Sequence, residues 1–292
     1  MRLSLLLVVL LLAACDARPP SPPLVVFVAG VEQDRLEQML EEFSAESGMS
    51  LTVRTGASAE LTDRLINGSA EHADILITND IADALRAAER GALRPLQSDA
   101  AAAWHPSLRD PDGLWVAFEI WPRWIQHLSD VRPINPTYED LGTDAFSGRL
   151  CLSSASLPGN RALLAHLIEA HGVLNVERLV RRWVRNLAEA PYATDAELRD
   201  AVRSGACDYA IVSTAYPLAG NWRLASGPYS YDATAIGIGR HAAQPELAHE
   251  LVDWVLENKA VSIPGNAELP AAAVAGWHDE EARLLAERAG YR

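Results

Sequence analysis

Residues 115–127 read WVAFEIWPRWIQH. Three tryptophans and Pro122 stand in a run too apolar for a loop, so it reads as a strand or a crossing between two parts of the chain. What flanks it decides the fold. Upstream, LVVFV (24–28) is the continuous apolar run of a strand buried on both faces. Leu36, Met39, Leu40 and Phe43 then form one helical stripe with acids opposite, closed by Gly48. LTVR (51–54), a helix over 58–66, ADILI (73–77) and a helix over 81–90 ending at Gly91 continue the alternation. Strand and helix in turn predict an α/β layer with mostly parallel strands. Downstream the pattern starts again: GRLCLSS (148–154), a helix over 160–171, and a helix over 175–189 with Val176, Leu179, Val180, Trp183, Val184 and Leu187 on one stripe. Thr194 and Glu197 have capping-box spacing, CDYAIV (207–212) and ATAIGIG (233–239) read as strands, and helices are expected over 245–258 and 280–288. An α/β pattern repeated around an aromatic crossing predicts two lobes, each with its own sheet, and a cleft between them where a ligand would bind. A single undivided sheet would end the case for that design.

The chain has 292 residues, 49% of them hydrophobic, enough for a substantial core. A net charge of -14 argues against a general binder of nucleic acid or anionic membrane, though not against a local anion site. Arg178, Arg181, Arg182 and Arg185 read as a solvated helix face, because aromatic platforms and a basic surround are missing. No dinucleotide fingerprint, P-loop, H-E-x-x-H or nucleophile elbow occurs, so neither an enzyme nor a resident cofactor is expected.

The first residues, MRLSLLLVVLLLAACD (1–16), carry one basic residue and an apolar run too short to span a bilayer as a helix. With small residues before the cysteine, they resemble a bacterial lipoprotein signal, making Cys15 the lipidated first residue of the mature chain. A plain secretory signal with an incidental cysteine is the alternative. Asp16 resembles the residue that retains such lipoproteins at the inner membrane of Gram-negative cells. ARPPSPP (17–23), with four prolines in seven residues, reads as an extended tether. The expected organisation is a signal over 1–14, a tether over 15–23, lobe 1 over 24–119 and 232–262, and lobe 2 over 120–231 and 263–292 with a helical tail. Cys151 and Cys207 each lie in a β-like run; they form one disulfide or remain two buried thiols.

CDYAIVSTAYPLAGNW (207–222) runs from a strand into a polar turn that presents Tyr216, either to a ligand or into packing. Asp80, after Asn79 at a strand end, suits a site or a helix N-cap. Tyr229 and Tyr231 share a face at i, i+2 and form either a pocket wall or a packing pair at the hinge. Trp121 is the tryptophan suited to stack on an organic ligand, whereas Trp115 reads as core; Arg123 could fork a carboxylate or phosphate. His127 is a site or a surface residue.

In order along the chain, LVVFVAG, FSAESG, ADILITND, GLWVAF, YEDL with FSGRLCLSSAS, and SGACDYAIVSTAY resemble the ferric-iron-binding solute-binding proteins of ABC importers. The resemblance runs from about residue 24 to beyond 260. It implies a two-lobed periplasmic-binding-protein fold of type II, each lobe a mixed, mostly parallel sheet flanked by helices, with the ligand at the hinge. It implies a disulfide between Cys151 and Cys207, an ABC permease and its ATPase as partners, and a monomer that delivers a small ligand. Ferric iron would be transported cargo, accompanied by a synergistic anion, rather than a cofactor. Family members use a histidine, an acid and two adjacent tyrosines; here those places fall near Val31, at Asn79 beside Asp80, and at Ala215-Tyr216. Only the Tyr216 phenolate survives as a metal ligand, with Asp80, Glu32, Glu119 or His127 as helpers. A small organic anion is the alternative cargo, and a sensor or scaffold lipoprotein with a degenerate site is the alternative role.

The signal reading has a direct test. Cys15→Ser should move the expressed protein from the detergent phase to the aqueous phase in Triton X-114 partitioning; equal partitioning of both forms rules out the lipid.

Overall fold

The computed structural model describes residues 22–30, 33–68, 72–213, 222–224, 230–259 and 269–292. Tyr216, Tyr229, Cys15, Glu32, Val31 and Ala215 lie outside them, as does the side chain of Trp222. The first strand, β1 (Leu24–Ala29), is buried along its length, and α1 (Gln33–Ser47) buries Leu36, Met39, Leu40 and Phe43, the expected stripe. β2 (Leu51–Gly56), α2 (Ser58–Asn67), β3 (Ile75–Thr78) and α3 (Ile81–Glu89) follow in alternation. Then come the short β4 (Leu93–Arg94) and α4 (Asp99–Ala103), before the 14-residue β5 (Trp115–Leu128). Beyond it lie β6 (Leu150–Cys151), α5 (Pro158–His171), α6 (Val173–Asn186), α7 (Asp195–Arg203), β7 (Tyr209–Ser213) and β8 (Trp222–Leu224). The chain closes with β9 (Ser230–Gly239), α8 (Pro245–Asn258), α9 (Ala273–Trp277) and α10 (Asp279–Ala289).

The main path of the sheet is β2-β1-β3-β9-β5-β7-β6. β1 is parallel to β2 and β3, and β6 is parallel to β7, as expected for βαβ units. β9 runs antiparallel between β3 and β5, and β5 is antiparallel to β7. Here the structure corrects the expectation of a separate sheet in each lobe. β5 and β9 stay paired from Trp115–Gly237 to Arg123–Ser230, so hydrogen bonding continues from one end of the molecule to the other. The crossing is therefore part of the sheet. Sequence periodicity marks a buried strand but carries no information about its neighbours.

The core nevertheless gathers in two regions. At one end, alternate residues of β1 enter opposite layers, Leu24, Val26 and Val28 on one face and Phe27 and Ala29 on the other. At the other end, Tyr209 and Ile211 of β7 face one layer while Ala210 and Val212 face the second. Helices cover both faces at both ends, which is why these strands read as unbroken apolar runs. β5 serves both cores, with Trp115 and Ile120 in the first and Ile125 in the second. A bulge at Phe118, between the pairs Ala117–Ala235 and Glu119–Thr234, shifts the phase of its facing residues. The C-terminal segment also serves both: Ala272, Ala273 and Ala275 join the first core, Ala282, Leu285 and Ala286 the second. α6 buries Val176, Leu179, Val180 and Trp183 and turns Arg178, Arg181, Arg182 and Arg185 to solvent, as its stripe requires.

Cys151 and Cys207 are joined in a disulfide, their Cα atoms 5.9 Å apart. Parallel neighbours make this possible, because Cys151 pairs with Ala210 in β7 and Cys207 lies just before that strand. The bond joins positions 56 residues apart. A loop of that size corresponds to about 4 kcal/mol in the chain-entropy account. Replacing both cysteines with alanine should lower the guanidinium unfolding midpoint by that equivalent and abolish its response to reductant.

Candidate functional site

Polar residues converge where the parallel strands end and helices begin. In the first core region, β3 ends at Thr78, and Asn79 and Asp80 follow, all three buried. Thr78 Oγ1 accepts from the Asp80 amide at 3.1 Å and lies 2.7 Å from Ser58 Oγ. Asp80 caps α3, its Oδ1 accepting from the Ala82 amide at 3.1 Å. Asn79 lies against Gly30, whose φ is +106°; a Cβ there would fall 1.7 Å from Asn79 Oδ1, so only glycine allows this approach.

The second core region answers with a matching set. Ser153 follows β6, Asn160 and Arg161 lie in the first turn of α5, and Asp195 opens α7. Asp195 receives Arg123 Nη2 at 2.7 Å and Ser153 Oγ at 2.6 Å; Asn160 Nδ2 donates to Ser153 Oγ at 3.0 Å. The Arg123 guanidinium lies on the first turn of α5, where a Cβ on Gly159 would fall 2.2 Å from its Nε. Between the two sets runs the crossing. There Trp121 pairs with Asp232 and Arg123 with Ser230. Tyr138 donates its hydroxyl proton to the Arg123 carbonyl at 2.9 Å and accepts from the Ser230 amide at 3.3 Å. His166 Nδ1 lies 2.7 Å from Ser230 Oγ. One ion pair joins the two sets directly: Arg161 Nη2 holds Asp80 Oδ2, while its Nε donates to Asp279 at 2.6 Å.

Burial sets the proton affinities here. It pushes the Asp232 carboxyl up to about 7, helped by the nearby charge of Asp80 and opposed by Arg123, the Ala233 amide and Arg161. Asp80 is raised for the same reason, against the pull of Arg161. His166 is lowered to about 4, because its buried ring resists charging.

The residues singled out in the sequence fare unequally. Asn79, Asp80 and Arg123 come together in this region, with Trp121 half-buried at its crossing. Trp121 is covered by the Arg35 guanidinium, 5.0 Å from the ring centre, and Arg35 is itself forked onto Glu119. Arg123 is 3% exposed, and its fork is turned to Asp195. The Tyr231 ring is buried and its hydroxyl donates to the Pro270 carbonyl at 2.6 Å, the packing arrangement at the crossing. Trp115 is core, as read. His127 is buried beside Tyr209 rather than on the surface, its Nδ1 2.8 Å from the Leu128 carbonyl. Reading the sequence missed Ser153, Asn160, Arg161, Asp195 and Asp232. Each follows a strand, opens a helix or sits at a strand start, but nothing local distinguishes it from an ordinary cap. Among the described residues no group of three or more His, Cys, Asp or Glu is gathered to hold a metal ion. Nor, among them, is any helix long and apolar enough to cross a membrane.

A mixed sheet flanked by helices, with polar residues gathered at its crossing strands, is the architecture of the periplasmic binding proteins. The chain belongs to the family of bacterial extracellular solute-binding proteins, whose family model matches residues 24–263. That is a family of binding proteins and not of enzymes. The chain is 30% identical over 220 residues to iron uptake protein A1 of Synechocystis sp., covering 70% of this chain and 61% of that protein. It is 24% identical to the Fe(3+)-binding periplasmic protein of Serratia marcescens, over 66% of this chain and 57% of that one. The chain thus spans about three fifths of the length of these curated relatives. Among solved structures, a Trichodesmium protein in complex with iron and citrate matches with a TM-score of 0.80 at 22% identity, over 93% of this chain and 100% of that one. The apo ferric ion-binding protein A of Pasteurella haemolytica matches at 0.81 and 19%, over 92% and 98%. The undivided sheet is thus no obstacle to membership.

Two outcomes follow from the geometry. Asp195→Ala leaves the buried Arg123 charge without its carboxylate and should cost about 3–5 kcal/mol, read from denaturant unfolding. Asp232 binds its proton more tightly folded than unfolded, its carboxyl rising from 3.8 to about 7. Its contribution to stability is therefore present at low pH and lost as pH climbs through that interval. Asp232→Asn should gain melting temperature over the parent across that rise and match it in acid; parallel curves at every pH would refute the assignment.

Proposed function

We propose that the protein captures ferric iron, free or held by an organic anion, in this cleft and delivers it to an ABC permease driven by its ATPase. Iron is cargo in this reading and not a resident cofactor. The observation that carries it is the path of β7. Its last residue, Ser213, pairs with Arg123 at the crossing, so the chain leaves the wall of the polar region three residues before Tyr216. Tyr216 is the proposed phenolate ligand, a hard oxygen donor suited to Fe³⁺. Asn79, Asp80, Trp121, Arg123, Tyr229 and Tyr231 complete the proposed surroundings. The names of the relatives, an iron uptake protein and an Fe(3+)-binding protein, support the cargo.

The two core regions are proposed to move as lobes about the crossing strands, with the expected bounds of 24–119 with 232–262 and 120–231 with 263–292 amended to place 269–275 with the first; the one continuous sheet speaks against the expected type II arrangement. A lipid on Cys15 would hold the body on the outer face of the cell membrane, as a monomer. A small organic anion is the second reading. The residue types at Val31, Asn79 and Ala215, where the family's histidine, acid and second tyrosine would fall, favour it, because they make the site less anionic.

Native mass spectrometry with elemental analysis of gently purified protein separates the two. Stoichiometric iron with a visible phenolate-to-iron band that Tyr216→Phe abolishes is the expected result. Iron at trace level with a bound organic mass would turn the reading to the second.

A further inference from the structure

The ion pairs of Arg161 tie the α3 N-terminus to both α5 and α10. Its three donor positions are divided. Nη2 holds Asp80 Oδ2, Nε donates to Asp279 Oδ1 at 2.6 Å, and Nη1 reaches the Ser156 carbonyl. Asp80 is fully committed in turn, with one oxygen capping α3 and the other on Arg161. Asp80 lies beside Ile81 of the first core, while Arg161 sits where α5 meets both cores, Ala162 packing in the first and Leu163 in the second, and Asp279 opens the helix that carries Ala282 into the second. The side chains of Asp80 and Arg161 are only 11% and 16% exposed, so this pair is shielded from water more than a surface ion pair is.

We propose that Arg161 is an internal stand-in for cationic cargo: it occupies Asp80 while the cleft is empty and gives it up when cargo arrives. This deepens, and rests on, the reading of the cleft as a ferric site. A cation and a guanidinium compete for one carboxylate oxygen and repel each other across it, so cargo that uses Asp80 works against Arg161 and favours its withdrawal. The displacement is inexpensive because Arg161 does not lose its only partner. Asp279 and the Ser156 carbonyl stay with it on its own side, so no bare charge is left behind. Asp80 also keeps its cap on α3 through the other oxygen, and so remains aimed at the cleft after Arg161 withdraws. Cargo affinity is thereby set below what the donor atoms would give, and a receptor that must release its cargo needs that ceiling.

The test uses the full chain, with ferric nitrilotriacetate as probe. Arg161→Gln should tighten ferric binding by up to about fivefold, the upper end for removing one competing ion pair. Arg161→Lys, which keeps the charge, should restore the parent affinity, and Asp80→Asn should erase the effect of Arg161→Gln. Unchanged or weakened binding in a folded Arg161→Gln protein, from a parent that binds ferric ion, overturns this proposal alone. A parent that binds no ferric ion overturns the cargo reading and this proposal with it.

Discussion

The antiparallel pairing of β5 with β9 is the constraint on which the rest of the molecule depends. Two strands of 14 and 10 residues run side by side through the middle of the sheet. Each serves the first core with one part of its length, and β5 carries on into the second. Every polar group of the cleft is positioned from that frame. Arg123 and Trp121 are residues of β5, Asp232 and Ser230 are residues of β9, Asp80 follows β3, which pairs with β9, and Asp195 is tied to β5 through Arg123. The bulge at Phe118 adds one residue to β5 and so determines which side chains beyond it face the first core.

The polar region at the crossing strands is a place of compensated charge. Arg123 has Asp195, Arg161 has Asp80 and Asp279, and Glu119 has Arg35. Burying these groups without partners would be expensive, and pairing them across element boundaries converts the cost into geometric specificity. Asp232 is the exception among the acids: its bond is to the amide of Ala233, and its proton affinity rises accordingly. The cleft therefore holds one carboxyl poised near neutral pH beside two guanidinium groups.

Much of the fold was legible because burial on two faces leaves a mark in sequence. The runs over 24–28, 73–77 and 207–212 read as strands because helices cover them on both sides. The α1 and α6 stripes matched because an amphipathic helix repeats its contact every 3.6 residues. The capping box at Thr194 was legible too, its hydroxyl accepting from the Glu197 amide at 3.1 Å. The site was less legible. Asn79, Asp80 and Arg123 were singled out, yet the partners Asp195 and Arg161, distant in sequence, were not, since a charged residue at a helix start resembles any cap.

The sequence by itself determined the alternation of strands and helices and the aromatic crossing, because each is a local pattern of burial. Only the tertiary structure decided that the crossing strands join the sheet into one, and that Arg161 meets Asp80 across 81 positions. Strand pairing and charge pairing are made by groups far apart along the chain, and no local periodicity encodes which of them meet.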